Sequence, residues 1–149
     1  MPGLLFDTNI WLGALFPTHP FHHQARHVLT EATPATPAVF CRATQHSFLR
    51  LMSTPVLLKT YGAPDLTNRD ALVALAALLA MPQVCEREEP PGVIAQWHRL
   101  ASCTSASPKV WMDAYLAAFA LGGGLRLVSL DHDFKSYTPH GLDLLLLNP

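Results

Sequence analysis

The sequence predicts an α/β fold in which helices cover both faces of a parallel sheet. Three observations predict it. Short runs such as LRLVSL and LDLLLL are apolar at successive positions, as strands buried on two faces require. Segments with helical spacing lie between these runs. Prolines and glycines stand at the ends of those segments, where helices stop.

Each element follows in order. Residues 3–6 (GLLF) form a first strand, and residues 10–16 a helix closed by Pro17. Residues 19–31 read as a polar–apolar helix that ends at the ATPATP loop, because its prolines cannot continue it. Residues 38–41 form a second strand. Residues 42–52 then show helical spacing, with Phe48, Leu49 and Leu51 set among Arg42, Gln45 and Arg50. Residues 55–64 read as irregular. Thr67 caps an Ala- and Leu-rich helix that stops at Pro82, and QVCE is a third strand. A helix carrying Ile94, Trp97 and Leu100 follows Pro90 and Pro91. Another covers 109–121 and ends at the glycines 122–124. LRLVSL and LDLLLL supply the last two strands, which makes about five.

At 149 residues the chain is expected to form one domain, 1–149, with a core large enough to need no covalent staples. A charged fraction of 14% against 50% hydrophobic residues argues against disorder. The net charge of −1 excludes a broad basic coat, so nucleic-acid contact would require a local patch. Cys41, Cys85 and Cys103 form no CxxC pair, which fits free thiols in a reducing compartment better than a disulfide framework or a zinc site. The N-terminus lacks signal-peptide features, and the longest apolar run, 71–81, is too short to span a bilayer. A cytoplasmic protein with no membrane partner is expected.

In parallel sheets the ligand crevice lies beyond the carboxyl ends of the strands. Asp7 directly follows the first strand; Asp131 and then Asp133 follow LRLVSL. Asp113 lies in PKVWMDAYLAAFA among apolar neighbours, with Lys109 one turn before it as a partner. Taken singly, Asp7 reads as a helix cap, LDHDF as a turn and Asp113 as an exposed helix residue. Together they suggest a carboxylate cluster, whose mutual repulsion favours a cation. Oxygen donors select a hard ion, Mg²⁺ or Mn²⁺, which suits phosphate chemistry by an activated water.

The segments LLFDTNIWL, CRATQHSFLRLMSTP, VWMDAYLAAFA and LVSLDHDF, in this order, resemble the PIN domain family, and within it the VapC-type toxins of bacterial toxin–antitoxin pairs. The resemblance runs from Leu4 to about Leu147. It implies a PIN-like three-layer α/β/α sandwich and a Mg²⁺- or Mn²⁺-dependent ribonuclease. It also implies a homodimer inhibited by a cognate antitoxin. By position, Asp7 is similar to the family's first metal ligand, Asp113 to its third acid and Asp131 to its fourth, and Asp133 matches an additional acid. The second acid, usually Glu, has no counterpart in ATQHSFLRL; Ser47 aligns there, and Gln45 is the nearest longer polar side chain. The resemblance also places the Thr8 hydroxyl where it would orient ligands or substrate phosphate, with Asn9 beside it.

Arg42, Arg50, Lys109, Arg126 and Lys135 are the candidates for phosphate contacts. His19, His23 and His27 recur at i,i+4, yet no HExxH pattern supports zinc, and capping and packing explain them better. The run ALVALAALLAM is apolar all round, which favours deep core over a contact between chains. Two other functions fit less well. A haloacid-dehalogenase-like phosphatase would need an acid where Asn9 stands. A PIN-like module that binds RNA or a partner without turnover would account for the missing second acid.

Overall fold

The computed structural model describes residues 2–148. Five strands form one parallel sheet: β1 (Leu4–Phe6), β2 (Ala38–Phe40), β3 (Val84–Glu86), β4 (Arg126–Ser129) and β5 (Leu144–Leu146). Their spatial order is β3-β2-β1-β4-β5, so the winding reverses between β1 and β4. Seven α-helices connect them: α1 (Thr8–Leu15), α2 (His22–Glu31), α3 (Arg42–Leu51), α4 (Pro55–Thr60), α5 (Asn68–Leu79), α6 (Val93–Ala101) and α7 (Val110–Gly123). A 3-10 helix, His132–His140, joins β4 to β5.

Successive strand residues face opposite sides, so each strand feeds two cores. Phe6, Ala38, Phe40 and Val128 pack under α1, α2, α3 and α5. Leu5, Val39 and Leu127 pack under α6, α7 and the 3-10 helix. The result is the expected three-layer α/β/α sandwich. Trp11 of α1 is fully buried and stacks on Phe40, with ring centres 3.8 Å apart and planes 5° from parallel. An aromatic pair of this kind contributes about 0.5–1.5 kcal/mol beyond the area it buries.

The structure departs from the sequence reading at defined places. The stretch 55–64, expected to be irregular, contains α4, which starts with Pro55 at its first turn. Proline has no amide hydrogen to lose there, and its fixed φ favours a helix start. Helix α2 begins at His22 rather than residue 19, because the preceding residues form a turn in which His19 Nδ1 accepts a hydrogen bond from the Phe21 amide at 3.1 Å. Helix α7 runs through Gly123 and stops at Gly124, whose φ of +62° suits a residue without Cβ. The run in α5 is not deep core. Ala71, Leu75 and Leu78 are buried at helical spacing, while Leu72 and Val73 are 57% and 64% exposed. No helix of the described residues is long and apolar enough to cross a membrane.

Candidate metal centre

The reversal between β1 and β4 opens the carboxyl ends of the two central strands side by side, where α/β sheets place ligands. Asp7 leaves β1 and caps α1: its Oδ1 accepts the Thr8 amide at 2.8 Å. Asp131 leaves β4 and caps the 3-10 helix, its Oδ1 accepting the Asp133 amide at 2.9 Å. Ser129, the fully buried last residue of β4, ties them together. Its hydroxyl donates to Asp7 Oδ2 at 2.7 Å and accepts the Asp131 amide at 2.9 Å. The cap reading of Asp7 and of the LDHDF turn therefore holds, and the same bonds orient both carboxylates.

Asp113, in the first turn of α7, completes the group. Asp113, Asp131 and Asp133 each offer an oxygen, all within 4.8 Å of one another. Among the described residues, these three form the group of acids, histidines or cysteines placed to share an ion. For comparison, oxygens on opposite sides of a magnesium ion lie about 4.2 Å apart. Asp7 stands outside that group. The charges of Asp113 and Asp131 nevertheless reach it.

Lys109 faces the cluster. The Lys109 ammonium donates to Asp131 Oδ2 and, at 2.7 Å, to Asp133 Oδ2, and lies 3.3 Å from Asp113 Oδ2. The i,i+4 pairing with Asp113 was legible in the sequence; the other two contacts were not. These bonds set the protonation balance. The hydrogen bonds that Lys109 donates to Asp131 and then Asp133 hold its ammonium well above the ordinary lysine range. Burial raises Asp7 most, against the Ser129 and Thr8 hydrogen bonds, and Asp113 and Asp131 add to the rise. Burial also raises Asp113, which Lys109 offsets only in part. For Asp131 burial again works upward, but the Lys109 bond, the Asp133 amide and the nearby positive charges outweigh it, so its carboxyl is lowered.

The remaining predicted residues lie elsewhere or play smaller parts. Thr8 is buried beside Asp7, and Asn9 Oδ1 is buried with no hydrogen-bond partner among the described residues. On α3, Gln45 is buried and fully engaged: its Nε2 donates to Glu86 Oε2 at 2.6 Å, and its Oε1 accepts from Arg42 Nη1 at 2.9 Å. Ser47 lines a separate cleft with Arg42, Arg50, Trp97, Trp111 and Tyr115. Arg126 pairs with Asp143 at 3.0 Å. His22, next to His23, bonds the Gly13 carbonyl at 2.8 Å and ties α2 to α1. Ser129 was missed, since a serine ending an apolar strand carries no sequence signal for what its hydroxyl joins.

Fold and site together define a PIN-type protein, and the chain belongs to the PIN domain family, whose model matches residues 4–138. It is 48% identical over 145 residues to Ribonuclease VapC41 of Mycobacterium tuberculosis, covering 97% of this chain and 98% of that one. Among solved structures it is similar to Mycobacterium tuberculosis VapC20, a sarcin-ricin loop cleaving toxin, with TM-score 0.66 and 16% identity over 99% of this chain and 100% of that one. VapBC2 from Rickettsia felis, bound to a DNA fragment from its promoter, superposes with TM-score 0.65 and 12% identity, over 97% and 98% of the two chains. These structural likenesses show the fold.

Proposed function

We propose that this protein is a divalent-metal-dependent endoribonuclease, acting in the cytoplasm as the toxin of a bacterial type II toxin–antitoxin pair. The gathering of Asp113, Asp131 and Asp133 beside Asp7 at the switch point of a PIN fold carries the reading. Near-full-length identity to a named VapC ribonuclease supports it. The donor set fits a hard divalent ion: all three groups are carboxylates, and the same acids attract the Lys109 ammonium.

Asp7, Asp113 and Asp131, with Asp133 as an additional ligand, would hold Mg²⁺ or Mn²⁺. When bound, such an ion polarises a phosphoryl oxygen and makes water a stronger nucleophile at neutral pH. Ser129 holds the Asp7 carboxylate and the Asp131 backbone, and the Asp133 amide holds the Asp131 carboxylate, so both acids would be set in place before substrate arrives. Thr8 and Asn9 lie next to Asp7 and would position substrate phosphate. Arg42 and Ser47 would contribute to RNA binding from α3, without supplying the family's second acid, whereas Gln45, expected there as well, is buried between Arg42 and Glu86 and plays a structural part. The proposed assembly is a homodimer held in check by a cognate antitoxin.

The test is RNA cleavage by the purified protein. EDTA abolishes it and added Mn²⁺ restores it, while Asp7→Asn and Asp113→Asn lose it by more than about a hundredfold. Undiminished cleavage in EDTA or in either variant contradicts the mechanism. Metal-independent RNA binding without cleavage would leave only a binding module.

A further inference from the structure

We propose that Lys109 is a tethered cation that occupies the carboxylate cluster and has to leave before a divalent ion can enter. The proposal rests on the metal-dependent reading above and concerns how that site is filled. The Lys109 ammonium faces three carboxylates, donating to Asp131 and Asp133 and lying 3.3 Å from Asp113. These are the same three groups that are placed to share an ion. A hard divalent ion lies about 2.0–2.6 Å from its oxygens, so it and an ammonium bonded to the same acids would be two cations in one space.

The arm that carries the ammonium is anchored at its tip alone. Lys109 directly precedes α7, its side chain is 56% exposed, and its polar contacts are the three acids. The backbone positions of the acids are held by other bonds. Asp131 accepts the Asp133 amide, its own amide is held by Ser129, and Asp113 is set by α7. Removing the ammonium therefore leaves the cluster standing. Lys109 thus acts as a built-in counter-ion that fills the cluster until a stronger cation displaces it.

The experiment uses the full chain, stripped of metal and without RNA. Calorimetric titration with Mn²⁺ compares the wild type with Lys109→Met, each checked for folding by circular dichroism. The variant is expected to bind Mn²⁺ on the order of tenfold more tightly. In parallel, amine acylation followed by mass spectrometry reads displacement directly. Labelling of wild-type Lys109 rises several-fold when Mn²⁺ is added, while the exposed Lys59 serves as the unaffected control. Equal or weaker Mn²⁺ binding in Lys109→Met, or Lys109 labelling indifferent to Mn²⁺, overturns the proposal and leaves the metal site intact. If neither folded protein binds Mn²⁺, the metal reading fails first and takes this one with it.

Discussion

The carboxyl edge of the sheet carries two polar regions that answer the same topology in opposite ways. Beyond β1 and β4, Asp7, Asp113, Asp131 and Asp133 crowd together against a single lysine. Beyond β2 and β3, Arg42, Gln45 and Glu86 form a chain in which one positive and one negative charge are each bonded to the Gln45 amide between them. Strand ends deliver polar groups to both places. Only the first is left short of positive charge, and that shortfall distinguishes a site from a structural network.

Removing the link that organises the first region gives the largest effect. Ser129→Ala frees Asp7 from Asp131 and leaves the Asp131 amide without its acceptor. RNA cleavage is expected to fall about 10–100-fold, the usual cost of losing a group that orients ligands. Stability falls by about 1–2 kcal/mol, read from urea unfolding. Unchanged cleavage would mean that the two carboxylates do not need each other.

Unbalancing the second region gives an intermediate effect. Gln45→Glu replaces an amide that donates to Glu86 with a second acid at the same place. The pair would share a proton, so its raised pKa makes the folded state lose stability as pH rises through it. The expected loss is about 1–2 kcal/mol at pH 8 and less at pH 5, measured by denaturant unfolding. If Mn²⁺ selectively restored the variant, α3 would belong to the metal site and the contrast would collapse.

The smallest effect is a gain. Asp7 and Asp113 are both raised in the folded state, Asp7 chiefly by burial. Without metal, each therefore costs stability as pH climbs from the ordinary carboxylate range, about 4, through its raised value. Asp7→Asn keeps an oxygen for the Thr8 amide and removes the buried charge. Its melting temperature is expected to exceed that of the metal-free wild type by about 2–5 °C at pH 7, with a smaller gap at pH 4. A melting temperature below wild type at both pH values would place the stabilising weight on the charge itself.

Features legible in the sequence were local. Strand runs, the Thr67 cap, the glycine stop after α7 and the i,i+4 pairing of Lys109 with Asp113 each depend on residues a few positions apart. The α4 helix was hidden because six residues are too few to show a period, and flanking prolines suggested a loop. The split of α5 into a buried and an exposed face was hidden because both faces are apolar. Contacts of Lys109 with Asp131 and Asp133 cross 22 and 24 positions, and Gln45 meets Glu86 across 41. Such pairs exist only after the sheet brings α3, α7 and the strand ends together.

The aromatic packing has an optical consequence. Of the three tryptophans, Trp11 is sealed between the sheet and α1, whereas Trp111 is 57% exposed and packs edge-on against Trp97, with ring centres 6.4 Å apart. Trp11 should emit at short wavelength and resist quenching by iodide, and the surface pair should emit further to the red. Because Trp97 and Trp111 line the cleft that holds Arg42, Ser47 and Arg50, the red component reports on events in that cleft while the blue one monitors the core. One emission spectrum thus separates binding from unfolding without an added label.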